Sequence, residues 1–299
     1  MRVDPHYVTS LVASLSSSTA AEQKLTTELS SGLRVASLAD DPVAAGEASM
    51  LNASIAQDDT FIQTAATAQS LMQVTDAALG SVVTQLTSAI SAATGGVNGT
   101  ESSADLKSLA QSISGIRDQV LSLANTSYQG TYIFAGSQGV TQPFTLDSNT
   151  SPAIVTYHGD AQTGSVTTET GQQISTGIAG SAIFTAPGAD VMVALNNLIA
   201  DFASGSPSPT STSDLAALQN ALGNVSQQRS ALDSALSRIN SASSYAQTDA
   251  TNRSATAVSL VSADPAQIAT QLSSAETQNQ ALMSVIATVE KQSLFDYTQ

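Results

Sequence analysis

Residues 51–90 read LNASIAQDDTFIQTAATAQSLMQVTDAALGSVVTQLTSAI. Leu51, Ile55, Asp58, Ile62, Ala65, Gln69, Met72, Asp76, Leu79, Val83, Leu86 and Ile90 follow one another in alternating steps of three and four. Such steps keep side chains on one face of an α-helix, and a seam of this kind needs a partner helix to cover it. Asp58 and Asp76 interrupt the seam. They mark polar register contacts, subunit contacts or a drift of the seam, and Arg229 is available to pair with one of them.

The same spacing recurs outward in both directions. Before this stretch it runs through Leu11, Leu15, Ser18, Glu22, Leu25 and Leu29, a thin seam with two polar positions. After it come Leu106, Leu109, Ile113, Ile116, Val120 and Leu123, then Leu215, Leu218, Leu222, Val225, Arg229, Leu232, Leu236 and Ile239. The last run is Ile268, Leu272, Ala275, Asn279, Leu282, Ile286 and Val289, with Asn279 as its one polar position. The three inner runs fit the core of a helical bundle. The two terminal runs are single amphipathic helices, which are marginal alone in water. They must pair with each other or with other subunits, or stay disordered.

Start and stop signals support this division. Asp4-Pro5, Asp41-Pro42 and Asp264-Pro265 each place a carboxylate cap before a proline at the first helical position. Ser102 with Asp105 resembles a capping box. Gly32 is suited to end the first helix, and Gly95-Gly96 with Asn98-Gly99 to separate the second from the third. Between Gln129 and about Thr185 the period changes. Thr131–Phe134, Ala153–Tyr157, Ser165–Thr168 and Ala182–Phe184 read as short strands between Gly, Pro, Asn and Asp. Asp190–Phe202 reads as a short helix, and residues 204–213 as a polar linker. The expected architecture is therefore mainly α: an elongated helical bundle with terminal coiled-coil helices and a small β-rich insertion domain. Its expected parts are a terminal coiled-coil domain (1–40 and 262–299), a rod-like helical middle domain (41–135 and 213–261) and an outer insertion with its linker (136–212).

Composition narrows the function. The 299 residues carry 9 Lys and Arg against 24 Asp and Glu, a net charge of −15. A basic nucleic-acid groove is unexpected, and an anionic membrane surface would repel the chain. Cys is absent, which excludes disulfides, thiolate metal sites and a cysteine nucleophile. The two histidines, His6 and His158, stand far apart. Ser and Thr make up 79 residues and Trp none, a composition suited to thin helical contacts between small side chains. No uninterrupted apolar signal core and no membrane-spanning stretch is visible. Export, if it occurs, is then expected to proceed without a standard cleaved signal peptide.

No catalytic constellation emerges: there is no HExxH, GxSxG, P-loop or GxGxxG pattern. Asp40-Asp41 reads as a helix cap rather than an acid–base pair. Residues 136–190 hold one His, no Lys or Arg, and four carboxylates (Asp147, Asp160, Glu169, Asp190) without metal-ligand spacing. No catalytic, cofactor or metal site is expected.

Leu29-Ser30-Ser31-Gly32-Leu33-Arg34-Val35, followed by Ala39-Asp40-Asp41-Pro42-Val43-Ala44-Ala45, resembles the N-terminal signature of the bacterial flagellin superfamily. The Asp-Asp-Pro-Val-Ala-Ala form is similar to that of the hook–filament junction members. Flagellin itself usually has Asp-Asp-Ala-Ala-Gly-Leu there. Leu123-Ala124-Asn125-Thr126, Tyr132-Ile133-Phe134-Ala135-Gly136-Ser137 and Gln292-Ser293-Leu294-Phe295-Asp296-Tyr297 resemble the same branch. Ala39 stands where Ser is frequent, and Thr298-Gln299 trails the usual ending.

The resemblance implies a structural, non-enzymatic role. Subunits would form a ring with copies of themselves between the hook, met through the first hook-associated protein, and the flagellin filament. Flagellin forming the filament itself is the alternative. It further implies type III export with a dedicated flagellar export chaperone, and a place outside the cell. Leu11, Leu15, Leu25 and Leu29 are expected to meet Ile268, Leu272, Leu282, Ile286 and Val289, within a subunit or across neighbours. Leu294, Phe295 and Tyr297 are candidates for an axial-neighbour or chaperone contact. Asp41, Pro42, Asp264 and Pro265 are the expected helix caps. Both termini are expected to be largely disordered in the free subunit and to order on assembly, where burial offsets the ordering entropy.

Overall fold

A computed structural model of the chain describes residues 5–206 and 210–297, with side chains from 9 to 289 within them. It is mainly helical: α1 (Pro5–Ser31), α2 (Pro42–Val97) and α3 (Ser103–Ala124) precede the insertion, and α6 (Ser211–Val261) and α7 (Pro265–Tyr297) follow it. The insertion contains β1 (Ser127–Tyr128), β2 (Thr131–Tyr132), β3 (Phe144–Asp147), β4 (Ile154–Tyr157), β5 (Ser165–Thr167) and β6 (Gln173–Ser175). It continues through α4 (Gly180–Phe184), β7 (Thr185–Ala186), β8 (Ala189–Asp190) and α5 (Val191–Ala203). The strands form four separate antiparallel pairs, the longest joining Phe144 to Tyr157 and Asp147 to Ile154. The residues fall into two compact units, 1–57 with 249–299, and 58–248.

The main core lies in the 58–248 unit. Ala65, Met72, Leu79, Val82, Leu86 and Ala89 of α2 are fully buried. Ile113 and Val120 of α3 and Leu218, Val225 and Ile239 of α6 belong to the same cluster. Alanine at such positions lets helix backbones approach closely, so a chain poor in aromatics still closes its core. The seam aspartate Asp76 meets Arg229, with its Oδ1 2.5 Å from Nε and its Oδ2 3.1 Å from Nη2. Asp58 is buried, at 1% exposure. On the outer faces, hydroxyls donate back to carbonyls one turn earlier, as Thr64 does to Thr60 and Ser226 to Leu222. This local bond is how helices so rich in Ser and Thr occupy their own hydroxyls.

Capping follows local chemistry. Ser102 and Asp105 complete a reciprocal capping box at the start of α3. Asp190 caps α5 by accepting from the Val193 N–H at 2.8 Å. Two sequence expectations need correction. Gly95-Gly96 does not end α2, which runs on to Val97. Gly96 instead gives room to a ring of α5: a Cβ there would lie 2.7 Å from Phe202 Cζ. Ala182–Phe184 is not a strand but the end of α4. Ile183 and Phe184 are both buried on this helical turn, whereas a strand with one covered face buries alternate residues.

Aromatic contacts anchor the insertion. Phe134 and Phe144 each meet Phe184 edge-on at 5.3 Å, and Phe144 lies 4.9 Å from Tyr157. The Tyr157 hydroxyl reaches the carbonyls of Phe134 and Asp160, at 3.0 and 2.9 Å. The Asp160 carboxylate accepts from the Ser137 hydroxyl and N–H and from the Gln162 N–H. Those bonds, the Ser137 hydroxyl first, hold its pKa below the usual carboxylate range. Gly180 sits against this cluster, where an added Cβ would lie 2.7 Å from Phe134 O and 2.8 Å from Phe144 Cζ. Gly180→Ala should therefore destabilise the insertion by about 1–3 kcal/mol, the usual cost of overpacking. Gly177→Ala meets nothing within 4 Å and should change little. Denaturant melts of the two variants check the contrast.

Candidate assembly interface

The 1–57 and 249–299 unit is built differently. Its buried apolar residues are Val35, Ala44, Ala48, Ala257 and Ile268. α1 packs against α7. The less exposed positions of α1 are Leu11, Leu15, Ser18, Glu22, Leu25 and Glu28. Those of α7 are Ile268, Leu272, Ala275, Asn279, Leu282, Ile286 and Val289. Only Ile268, at 4% exposure, is buried; the others are half-buried. Leu29 is 42% exposed, and Glu28 takes the last position on that face. Glu28 faces Lys24 one turn earlier, at 3.9 Å. The side chains of Leu294, Phe295 and Tyr297 lie outside the described residues.

A polar contact crosses between these two faces. The Asn279 Nδ2 donates to Glu22 Oε2 at 2.5 Å. Asn279 Oδ1 is buried and has no hydrogen-bond partner among the described residues.

A second construction ties the ends of the helices together. Gly32, with φ +70°, turns the chain out of α1 while its N–H still reaches Glu28 O at 2.9 Å. The segment then clasps the α6–α7 corner. Arg34 N donates to Val261 O at 2.8 Å, Ala263 N donates to Gly32 O at 2.9 Å, and Leu33 bridges Ser262.

Charged side chains reinforce the clasp. Arg34 Nη2 donates to Leu260 O at 3.0 Å, meeting a carbonyl in the last turn of α6 where helical donors run out. Its Nη1 lies 3.2 Å from Asp41 Oδ2. Asp41 Oδ1 accepts from the Ala44 N–H at 3.1 Å and so caps α2. Asp264 accepts from the Ala266 N–H at 2.9 Å at the start of α7. Pro42 and Pro265 are the first residues of those two helices. Asp40 gathers the loop by accepting from the Ser37 hydroxyl and N–H, both at 2.9 Å, and by facing Lys24 of α1 at 3.1 Å.

Lys24 and then Ser37 pull the Asp40 pKa down to about 2. The Ala44 N–H, followed by Arg34, lowers that of Asp41. Asp40 and Asp41 thus hold a loop and a helix start. Among the described residues, no three His, Cys, Asp or Glu side chains come together to hold a metal ion, and no helix is long and apolar enough to cross a membrane. Apolar surface is exposed here: Val12, Leu38, Val43, Met50, Val258 and Met283 each stand more than half exposed.

Residues 7–139 match the bacterial flagellin N-terminal helical region, and residues 215–298 match the bacterial flagellin C-terminal helical region. The chain is 33% identical over 183 residues to flagellar hook-associated protein 3 of Salmonella typhimurium, covering 60% of this chain and 58% of that protein. It is 29% identical over 231 residues to flagellar hook-associated protein 3 of Escherichia coli, covering 72% of this chain and 73% of that one. Among solved structures, the flagellar junction protein FlgL of Legionella pneumophila shares the fold, with a TM-score of 0.61 at 15% identity. That likeness covers 72% of this chain and all of the other.

The clasp should be acid-labile. The Asp40 pKa lies below its ordinary value, so its stabilisation is complete above about pH 4 and is lost as pH falls toward about 2. Asp40→Asn should flatten the unfolding of residues 1–57 and 249–299 across that window, as followed by circular dichroism. With few buried contacts, amides of residues 9–31 should also exchange faster than those of residues 61–93 in the same sample.

Proposed function

The chain belongs to the bacterial flagellin family, and we propose that it is the structural junction component that joins the flagellar hook to the flagellin filament. The observation that carries this reading is the identity to two hook-associated proteins 3. Asp40-Asp41-Pro42-Val43 at the clasp supports it over the flagellin alternative, because flagellin usually has Ala after the paired aspartates.

The physical basis is the half-buried seam. Residues 1–57 and 249–299 bury too few apolar side chains for a self-sufficient core, so neighbouring copies supply the missing surface. Subunits then form a ring with α1 and α7 toward the axis and the insertion outward. One end of the ring meets the first hook-associated protein, and the other meets flagellin. An export chaperone covers α7 beforehand, with Leu294, Phe295 and Tyr297 in its contact or in that of the axial neighbour. The location is the flagellum, outside the cell. Its work is mechanical: torque passes between two polymers through packed helices.

Immunogold labelling of hook–filament complexes with antibody to the insertion tests the assignment. A single band at the boundary is expected; label along the whole filament would make the chain a flagellin. Leu282→Glu places a charge on the half-buried α7 face. It should abolish assembly while the 58–248 unit keeps its wild-type melt, and filaments formed by this variant would overturn the interface.

A further inference from the structure

We infer that Glu22 and Asn279 form a polar layer that makes α1 choose α7 as its partner and discourages α1–α1 or α7–α7 pairing between chains. The inference rests on the α1–α7 packing alone and is independent of the flagellar reading.

Among the described residues, Asn279 is the fourth of seven on the inward face of α7, and Glu22 the fourth of six on that of α1. Around them stand Leu11, Leu15, Leu25, Leu272, Ala275, Leu282, Ile286 and Val289, with Ser18 and Glu28 as the remaining polar positions. Apolar side chains of this kind pack against any similar face, so they select no partner. The polar layer does. Its Asn279 amide meets a Glu22 carboxylate oxygen at 2.5 Å, across 257 residues of sequence.

This contact is not there to maximise stability. Asn279 Oδ1 is buried without a partner among the described residues, and the desolvation of that unmet acceptor offsets what the bond to the Glu22 carboxylate returns. Two leucines would serve the seam better. A polar residue in an apolar seam that costs stability is a known way to specify which helices pair. The side-chain chemistry supplies the selection. A parallel α1–α1 pair would set one Glu22 carboxylate against another. An α7–α7 pair would offer Asn279 only a second neutral amide, whose hydrogen bond is weaker than one to a carboxylate. Only the mixed pair brings a charged acceptor to an amide donor. The selection matters here because both helices leave half-buried faces open to solution.

The absence of native cysteine makes pairing directly readable. Ala275→Cys in the full chain puts one thiol on the α7 face, so a disulfide dimer forms only when two α7 helices meet. Under mild oxidation this variant should remain monomeric. Adding Glu22→Leu and Asn279→Leu should raise the melting temperature of the terminal helices and make the disulfide-linked dimer the main species. Glu22→Gln, which keeps an acceptor for the Asn279 amide, should remain monomeric with Ala275→Cys. Three results would each overturn the inference. They are a double-leucine variant that stays monomeric with its helices intact, one that loses terminal helix content, and equal dimer formation in all three backgrounds.

Discussion

A shortage of apolar area in one part of the chain governs the rest. Helices α1 and α7 face each other along a seam in which every described side chain but Ile268 is only half-buried. A helix pair gains most of its stability from the face it covers, because isolated helices of this length are marginal in water. Residues 58–248 escape this constraint. There α2, α3, α5 and α6 bring one another's faces into a common cluster. One unit thus covers its own apolar faces, while the other leaves its seam half-exposed.

The clasp at Gly32–Asp41 is the local answer to that shortage. It uses backbone hydrogen bonds, one guanidinium and two carboxylates instead of a core. Each exposed ion pair contributes little alone. Their joint effect is geometric: Arg34 meets the end of α6 and the cap of α2 with one side chain. Asp40 and Asp41, adjacent carboxylates that invite an acid–base reading, are fully occupied by this task. The motif that most resembles the flagellin family is thus the segment that shapes the corner of the helices.

The low charge and the abundance of hydroxyls fit the same picture. Ser and Thr close their bonds onto the helix one turn back, so they cover surface without committing to a partner. Lys24, Arg34, Arg117, Arg229 and Arg253 pair with carboxylates, and Arg229–Asp76 joins two helices distant in sequence. The excess negative charge keeps free chains apart in solution.

The helices and their inward faces were legible in the residue order because a helical face is a local property. Spacing alone places Leu11, Leu15, Ser18, Glu22 and Leu25 together, and Asp41-Pro42 and Asp264-Pro265 announce the helix starts. Tertiary structure decided what depends on residues far apart. Leu29 stands 42% exposed while Glu28 takes the last inward position of α1. Gly95-Gly96 stays within α2, and a ring of α5 lies against Gly96. Ala182–Phe184 ends a helical turn in which Ile183 and Phe184 are both buried. Arg34 finds Leu260 O, and Glu22 finds Asn279, across more than two hundred residues, where no local propensity selects one contact over another. Periodicity names the face a helix will bury, but only the folded chain brings a specific donor to a specific acceptor.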